Sequence, residues 1–349
     1  TYHQLAERVY RRVAGLKSIG IDNGCHIFTH LNDSVEQVEI RLAAFELGAT
    51  ISAFNPGHKT PQIISAGRQV KPDLFIFDTR INTMPARFFR GNLSSTRLVK
   101  IGPGSSYERL IAANEPVVSG TPVDPVAPAV LRYSFDEGGA ALAMHFSNRV
   151  VMNGVYNTMS ELGFCWSEEN DIVLLGVPLS NGGEDIILPA LAAGDILVLP
   201  ETYGMKSILA LVPQYQISSM YITSSQLIDF LDYTESGSYD ISPLRNVIYG
   251  NAAIPPAKLE EAIHRYGTIF HQIYRLQECQ SVVSCLRVED HFMDETTLPQ
   301  RVLRSVGTPG EQVLVRVVDR DKKEQPAGKA GEILVKAPTM CNGLSLIHI

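Results

Sequence analysis

The sequence predicts an α/β protein with two stacked α/β subdomains, each with a mostly parallel sheet, and a small antiparallel β unit at the C-terminal end. Apolar strand-like segments alternate with amphipathic helical segments in the first hundred residues, and the alternation resumes after a proline-rich connector at 116–128. From about Cys279, short alternating strands follow one another without helices. Alternation of strands and helices indicates βαβ units, whereas consecutive short strands indicate antiparallel pairing. The expected domains are therefore 1–130, 131–278 and 279–349.

The elements of the first subdomain follow from the spacing of apolar residues. Apolar positions recur every three or four residues over 4–19, which predicts a helix that Gly20 stops. Ser34 has the side chain of an N-cap and is expected to begin a helix that runs to Leu47. Strands are predicted at 25–29, within 48–56 and at 73–77, with a helix beginning at Thr60.

The second subdomain and the β unit are assigned in the same way. Helices are predicted at 183–193, 206–213, 225–233 and 256–266. The intervening strands are predicted at 171–177, 196–199, 219–222, 244–249 and 269–273. The β unit is expected to contain strands at 282–288, 312–318 and 331–336 and no helix.

The stretch from Leu131 to Ser147 is the centre of the functional interpretation. It reads as a strand, a turn at Gly138-Gly139 and, after it, an amphipathic helix that includes Val150 and Val155. A small-residue turn before a helix is where backbone N–H groups bind phosphate. Most glycine pairs are only turns, so the local pattern leaves both interpretations open.

Composition excludes several function classes. A net charge of −7 argues against a nucleic-acid partner, which would need clustered Lys and Arg. The five cysteines form no CxxC pair, which argues against a zinc site or a disulfide framework and favours a cytoplasmic protein. No apolar run is long enough for a transmembrane segment, and no signal peptide opens the sequence.

Several motifs, in order along nearly the whole chain, resemble the N-terminal domain of the adenylate-forming superfamily, which includes acyl-CoA synthetases, luciferases and peptide-synthetase adenylation domains. The matching segments are Thr1–Leu5, Phe45–Pro56, Asp171–Leu179, Leu244–Ile254, Tyr274–Glu278, Val306–Pro309 and Ala330–Ile333. Each is weak alone, but their common order makes the resemblance specific.

The resemblance implies an acid–thiol ligase that uses ATP, Mg²⁺ and CoA. In that family a carboxylic acid and ATP give an acyl-adenylate and pyrophosphate, and a thiol such as CoA then takes the acyl group. The small-molecule partners would be a carboxylic acid and a nucleotide. Catalysis depends on neutralising and orienting phosphate charge.

The resemblance also implies roles for individual residues. Glu278 matches the glutamate that helps to hold the metal, and Tyr274 matches the tyrosine beside the adenine, although an exposed Glu and a core-packing Tyr are equally compatible with the local sequence. Gly250, Asn251 and Ala252 match the backbone wall of the adenine slot.

The resemblance says less about the residues that bind the carboxylic acid. Asn181 stands at the family's histidine position, and with Gly182 and Gly183 it suggests a roomy, non-aromatic mouth of the acyl pocket.

The phosphate loop departs from the family pattern Thr-Ser-Gly-Thr-Thr-Gly-x-Pro-Lys-Gly. Aligned without gaps over 133–142, only Ser134 and Gly138 match. Two hydroxyl positions are occupied by Asp136 and Glu137, and the lysine position by Ala141. Like charges about 4 Å apart cost roughly 4 kcal/mol at an effective dielectric constant near 20, so we expect poor ATP binding. The two carboxylates could alternatively hold a cation, although adjacent loop carboxylates are more often solvated.

Two further departures lie near Tyr274. Arg275 replaces a glycine and is expected to crowd the nucleotide. Gln277 replaces the threonine that faces the α-phosphate, although its amide can still donate hydrogen bonds.

The resemblance also bears on the end of the sequence. After Met340–Gly343, the segment Leu346–Ile349 matches no family pattern, and neither the ribose aspartate nor the lysine-bearing C-terminal lid follows. We therefore expect an incomplete N-terminal portion that is inactive as it stands. The alternative function is a non-catalytic relative that binds an acyl group or a nucleotide.

Overall fold

The computed structural model describes residues 1–102, 105–120, 122–162, 171–234, 239–291 and 299–345. The chain forms two compact units, one of residues 1–152 with the segment from Cys341 and one of residues 153–340. Cys165 and the segment Leu346–Ile349 lie outside the described residues. Each unit is organised around one large sheet.

The helices and strands follow the predicted alternation. The helices are α1 (Tyr2–Ser18), α2 (Val35–Leu47), α3 (Thr60–Val70), α4 (Met84–Asn92), α5 (Ser106–Ala112), α6 (Asn148–Glu161), α7 (Glu184–Ala193), α8 (Met205–Tyr215), α9 (Ser224–Thr234), α10 (Pro256–Tyr266) and α11 (Gln300–Leu303). The strands are β1 (His26–His30), β2 (Thr50–Phe54), β3 (Leu74–Asp78), β4 (Arg97–Ile101), β5 (Pro128–Phe135), β6 (Ala141–Ser147), β7 (Ile172–Leu175), β8 (Ile196–Val198), β9 (Ser219–Thr223), β10 (Asn246–Gly250), β11 (Phe270–Tyr274), β12 (Ser284–Leu286), β13 (Thr308–Pro309), β14 (Leu314–Val318), β15 (Glu332–Lys336) and β16 (Leu344–Ser345).

The sheet of the first unit has the order β16-β6-β5-β2-β1-β3-β4. Strands β5, β2, β1, β3 and β4 run parallel, and β6 and β16 pair antiparallel at one edge. Short capped helices connect the parallel strands. In α2, for example, Ser34 Oγ accepts from the Gln37 N–H at 3.3 Å and Gly48, at φ 70°, ends the helix.

The sheet of the second unit repeats this plan with the order β13-β12-β11-β10-β9-β7-β8. The five strands β11, β10, β9, β7 and β8 are parallel, and β12 and β13 continue the sheet antiparallel. Its core packs α8, α9 and α10 against strands β9 and β10. A separate antiparallel ribbon of β14 and β15 completes the unit. The predicted fold class is confirmed: two largely parallel sheets with a small antiparallel sheet.

The division into units differs from the predicted boundaries. Strands β5 and β6 pair with β2, so the central stretch 131–147 belongs to the first unit rather than to a subdomain that begins at 131. Likewise, β12 and β13 extend the second sheet instead of forming part of an independent β unit from 279. That C-terminal region also contains the short helix α11, which was not expected.

The order of elements around Gly138 is also corrected. The stretch is a β-hairpin, because strand β6 lies between the glycine turn and helix α6. The turn is therefore not at a helix N-terminus, where a phosphate would gain from the helix dipole.

No helix within the described ranges is both long and apolar enough to cross a membrane.

Candidate functional site

Three of the predicted site segments lie at the carboxyl edge of the second sheet. Residues 181–183 follow β7, residues 250–252 end β10, and residues 274–278 end β11. Strand β10 pairs with both β9 and β11, and β7 pairs with β9, all in parallel. The ends of parallel strands meet at one sheet edge, which is where open α/β sheets bind ligands.

The turn after β10 is held by side chains from β9 and α9. A Cβ on Gly250 would lie 2.6 Å from the Ile273 carbonyl oxygen, so only glycine fits against β11. Asn251 adopts φ 69°, a left-handed conformation that Asn tolerates. Ser224 Oγ lies 3.2 Å from the Gly250 carbonyl oxygen and 2.6 Å from that of Ala252. The backbone proposed for the adenine wall is thus fixed before any ligand arrives.

Tyr221 connects this turn to the loop after β7. Its hydroxyl donates to Asn251 Oδ1 at 3.1 Å. Burial raises the pKa of the Tyr221 phenol, so the group remains protonated and a donor at neutral pH. The same hydroxyl would lie 3.5 Å from a Cβ on Gly182. Tyr221 was not predicted as a site residue, because a tyrosine in a buried strand carries no local sign of this role.

The residues after β11 differ in burial and packing. Tyr274 is half-buried and packs against the apolar cluster of Cys279, Val283 and Val313, as its core-packing interpretation requires. Gln277 is exposed and Glu278 is half-buried. The described part of the chain contains no group of three or more His, Cys, Asp or Glu side chains that could hold a metal. The metal role of Glu278 therefore remains a prediction.

Arg275 is directed into the loop after β7. Its Nη1 donates to the Gly182 carbonyl oxygen at 2.9 Å, and its Nη2 forms an ion pair with Asp185 at the start of α7. The other carboxylate oxygen of Asp185 accepts from Gln280 Nε2 at 2.6 Å. The side chains of Arg275 and Asp185 are only 10% and 3% exposed. Arg275 is thus held in a buried ion pair, which no sequence spacing could have indicated because Asp185 lies on a distant helix. Its crowding of a nucleotide remains a prediction.

The loop after β7 is closely packed. Asn181 ends a short 3-10 turn, Leu179–Asn181, and Gly182 follows at φ 97°. A Cβ on Gly182 would lie 2.8 Å from Arg275 Nη1, and one on Gly183 would lie 2.9 Å from the Val177 carbonyl oxygen. The two glycines thus allow the loop to pack closely against Arg275 and the Val177 carbonyl, and the width of the acid-binding mouth remains a prediction.

The predicted phosphate loop lies in the first unit, at the hairpin between β5 and β6. Ser134 is half-buried in β5 opposite Leu142, and Gly138 is exposed in the turn. The backbone N–H groups of this turn donate hydrogen bonds to acceptors within the turn itself. The Asp136 N–H bonds to the Ala140 carbonyl oxygen at 3.1 Å, the Gly139 N–H to the Asp136 carbonyl oxygen at 2.9 Å, and the Ala140 N–H to Asp136 Oδ1 at 2.7 Å.

These contacts decide how well the hairpin suits a phosphate. Three backbone donors are already occupied, and the exposed carboxylates of Asp136 and Glu137 add negative charge. Ala141, at the family's lysine position, is 5% exposed and packs with Phe28, Phe54 and Phe75 in an apolar cluster. The residues present therefore do not fit a triphosphate. The alternative of a cation held by the two carboxylates gains no support either, because Asp136 closes the turn and no third ligand is found among the described residues.

Comparison with known proteins identifies the family. The family model described as AMP-binding enzyme matches residues 1–344. The chain belongs to the AMP-binding enzyme family. This agrees with the resemblance to the adenylate-forming superfamily and its N-terminal domain.

Two curated relatives and one solved structure illustrate the similarity of this AMP-binding chain to others. A medium/long-chain-fatty-acid–CoA ligase from Mycobacterium tuberculosis is 30% identical over 50% of this chain and 29% of the relative. Indoleacetate–CoA ligase from Aromatoleum aromaticum is 25% identical over 98% of this chain and 66% of the relative. The structure of the anthranilate CoA ligase AuaEII in complex with anthranoyl-AMP superposes with a TM-score of 0.86, at 19% identity, over 99% of this chain and 65% of that chain. The chain spans less than two thirds of the length of these curated relatives.

Proposed function

We propose that this chain is the acid- and adenylate-binding portion of an acyl- or aryl-CoA ligase. In the reaction of such a ligase an oxygen of the acid's carboxylate bonds to the α-phosphorus of ATP while the bond to pyrophosphate breaks, and a thiol such as CoA then displaces AMP. The part proposed for this chain is to hold the acid and the adenylate, since its hairpin at 136–140 does not fit a triphosphate. The observation that supports the proposal is the convergence of three family segments, 181–183, 250–252 and 274–278, at one sheet edge.

Each of these segments would have a separate role in binding. The rigid backbone of 250–252 would support the adenine, with Tyr274 beside it. Gln277 would donate to the phosphate that joins acid and nucleoside, and Asn181, Gly182 and Gly183 would border the acid. Glu278 would hold Mg²⁺, whose chemistry is to neutralise phosphate charge.

A second candidate function is a binding module of the same fold without ligase activity, acting on an acyl group or a nucleotide. The hairpin at 136–140 favours it, since the turn consumes its own N–H donors and carries two exposed carboxylates. Both candidates predict that an adenylate binds. They differ in whether a triphosphate is accepted and pyrophosphate is released.

The common part of the proposal can be tested with a stable mimic of an acyl-adenylate, benzoyl-sulfamoyl-adenosine, which lacks β- and γ-phosphates. We expect saturable binding by calorimetry. The variant Ala252→Tyr, at an exposed position of the turn, should fill the adenine slot and abolish binding. The matched control Ala253→Tyr, at the next exposed position, should retain it. Absence of binding to the unmodified chain, or equal loss in both variants, would contradict the proposal.

A further inference from the structure

We infer that the buried ion pair of Arg275 and Asp185 determines specificity and restricts this chain to short or compact carboxylic acids. The inference rests on the proposed function, because that function assigns the loop of residues 181–183 to the acid. It adds a size limit for the acid, whereas the relatives named above range from a medium/long-chain-fatty-acid ligase to an indoleacetate ligase.

The position of the ion pair is the first argument. Arg275 Nη1 donates to Gly182, and Arg275 Nη2 pairs with Asp185, so the guanidinium spans from the loop to the first turn of α7. The guanidinium stands where a side chain on Gly182 would be, since a Cβ there would lie 2.8 Å from Nη1. The space beside the acid-binding loop is therefore filled by charged atoms of the protein itself.

The completeness of the network is the second argument. Asp185 has both carboxylate oxygens engaged, one by Arg275 and the other by Gln280 Nε2 at 2.6 Å. An acyl tail entering this space would have to separate the pair and leave a buried charge without its partner. Such separation is strongly unfavourable, whereas a small acid would leave the network in place.

The chemistry of the surrounding side chains points the same way. The hydroxyl of Tyr221 and the guanidinium of Arg275 both lie within 4 Å of the point where a Cβ of Gly182 would stand. A phenol, a guanidinium and a carboxylate make a polar boundary, which offers a hydrocarbon chain little apolar surface to bury. A compact acid, aliphatic or aromatic, needs no such surface beyond the loop.

The experiment measures how affinity depends on the length of the acid. Butanoate, octanoate and dodecanoate, the last below its micellar concentration, are each titrated by calorimetry without benzoyl-sulfamoyl-adenosine. For the unmodified chain we expect octanoate and dodecanoate to bind no more tightly than butanoate. In the double variant Arg275→Gly/Asp185→Asn, the guanidinium is removed, and the oxygen of the introduced amide would still accept from Gln280 Nε2. The affinity of this variant should rise with length, approaching about four-fold for each added methylene.

The control is a second ion pair of the same unit, between the buried Glu161 and Arg287, whose side chain is 35% exposed, at 3.0 Å. The double variant Arg287→Gly/Glu161→Gln should keep the flat dependence of affinity on acid length, because it leaves the Arg275–Asp185 pair in place. A general loss of packing in this unit would instead change the affinity of all three acids by the same factor. If the unmodified chain already binds dodecanoate more tightly by the methylene increment, or if both double variants gain it, the specificity inference is wrong. If neither the unmodified chain nor the Arg275→Gly/Asp185→Asn variant binds any acid, the acid-binding part of the proposed function fails and the inference with it. Thermal unfolding of each variant establishes that it is folded, and the unmodified series tests the inference without any variant.

Discussion

Neutralising the hairpin carboxylates should improve ATP binding while leaving AMP binding nearly unchanged. The perturbation is the double variant Asp136→Asn/Glu137→Gln. The amide introduced at position 136 would keep a side-chain oxygen to accept from the Ala140 N–H, so the turn should be retained. Only the charge at the place predicted for the β- and γ-phosphates changes.

The expected gain in ATP affinity follows from the solvent exposure of the two carboxylates. Both carboxylates are exposed, so the dielectric of water applies rather than that of a protein interior. A carboxylate about 4 Å from a phosphate charge then costs about 1 kcal/mol, and two carboxylates cost about 2 kcal/mol. That corresponds to a gain of roughly 30-fold in ATP affinity, well below the estimate made from the sequence for an enclosed loop. AMP lacks the β- and γ-phosphates, so its affinity should change by less than about three-fold.

The assay is calorimetric titration of ATP-Mg²⁺ and AMP against both proteins. The unmodified chain should bind AMP at least as tightly as ATP, and the gain in the variant should shrink in 1 M salt, where charges are screened within about 3 Å. The control Glu115→Gln/Asp321→Asn removes two exposed carboxylates elsewhere and should leave both affinities unchanged. Much tighter binding of ATP than of AMP by the unmodified chain would refute the reasoning.

Three further predictions concern the folded state. Ala141→Lys, the obvious restoration of the family lysine, should lower the free energy of unfolding by about 3 kcal/mol in urea titrations, because it places an ammonium in an apolar cluster; an unchanged midpoint would contradict this. Glu39→Gln should cost about 3–5 kcal/mol in the same assay, since it leaves the buried guanidinium of Arg12 without its carboxylate; a loss below about 1 kcal/mol would be incompatible with that pairing. Burial lowers the pKa of His30 to about 4, below the ordinary 6.5, so the unfolded chain binds more protons and stability is lost as pH falls from about 6.5 to 4. His30→Phe should reduce the slope of the unfolding midpoint against pH in that range without removing it, because other buried histidines such as His271, with a pKa lowered to about 3, contribute as well. The exposed His264→Gln should leave the slope unchanged, and equal slopes in all three proteins would disprove the assignment.

The sequence predicted the elements best where local chemistry decides them. Ser34 and Leu47 bound α2, and Pro256 and Tyr266 bound α10, as expected from capping, periodicity and the preference of proline for a first helical turn. The fold class followed from the alternation of such elements. Strand β6 was missed because Gly138-Gly139 was interpreted as a loop before a helix, although the same dipeptide serves equally well as a hairpin turn.

The candidate site could be predicted only in outline. The backbone positions Gly250 to Ala252 followed from a motif and lie at the carboxyl edge of a parallel strand, as such motifs require. The pairing of Arg275 with Asp185 could not be predicted, because partners on separate elements are chosen by the fold and not by spacing. The same holds for Ala141, whose burial depends on the aromatic side chains that β1, β2 and β3 place around it.

Hydrogen–deuterium exchange with bound benzoyl-sulfamoyl-adenosine tests the central claim most directly, namely that the carboxyl edge of the second sheet binds the adenylate and the hairpin does not. Amides of residues 250–252 and 274–278 should exchange more slowly in the complex, while those of residues 136–140 should be unchanged. Slower exchange at 136–140 with no change at 250–252 would contradict the account.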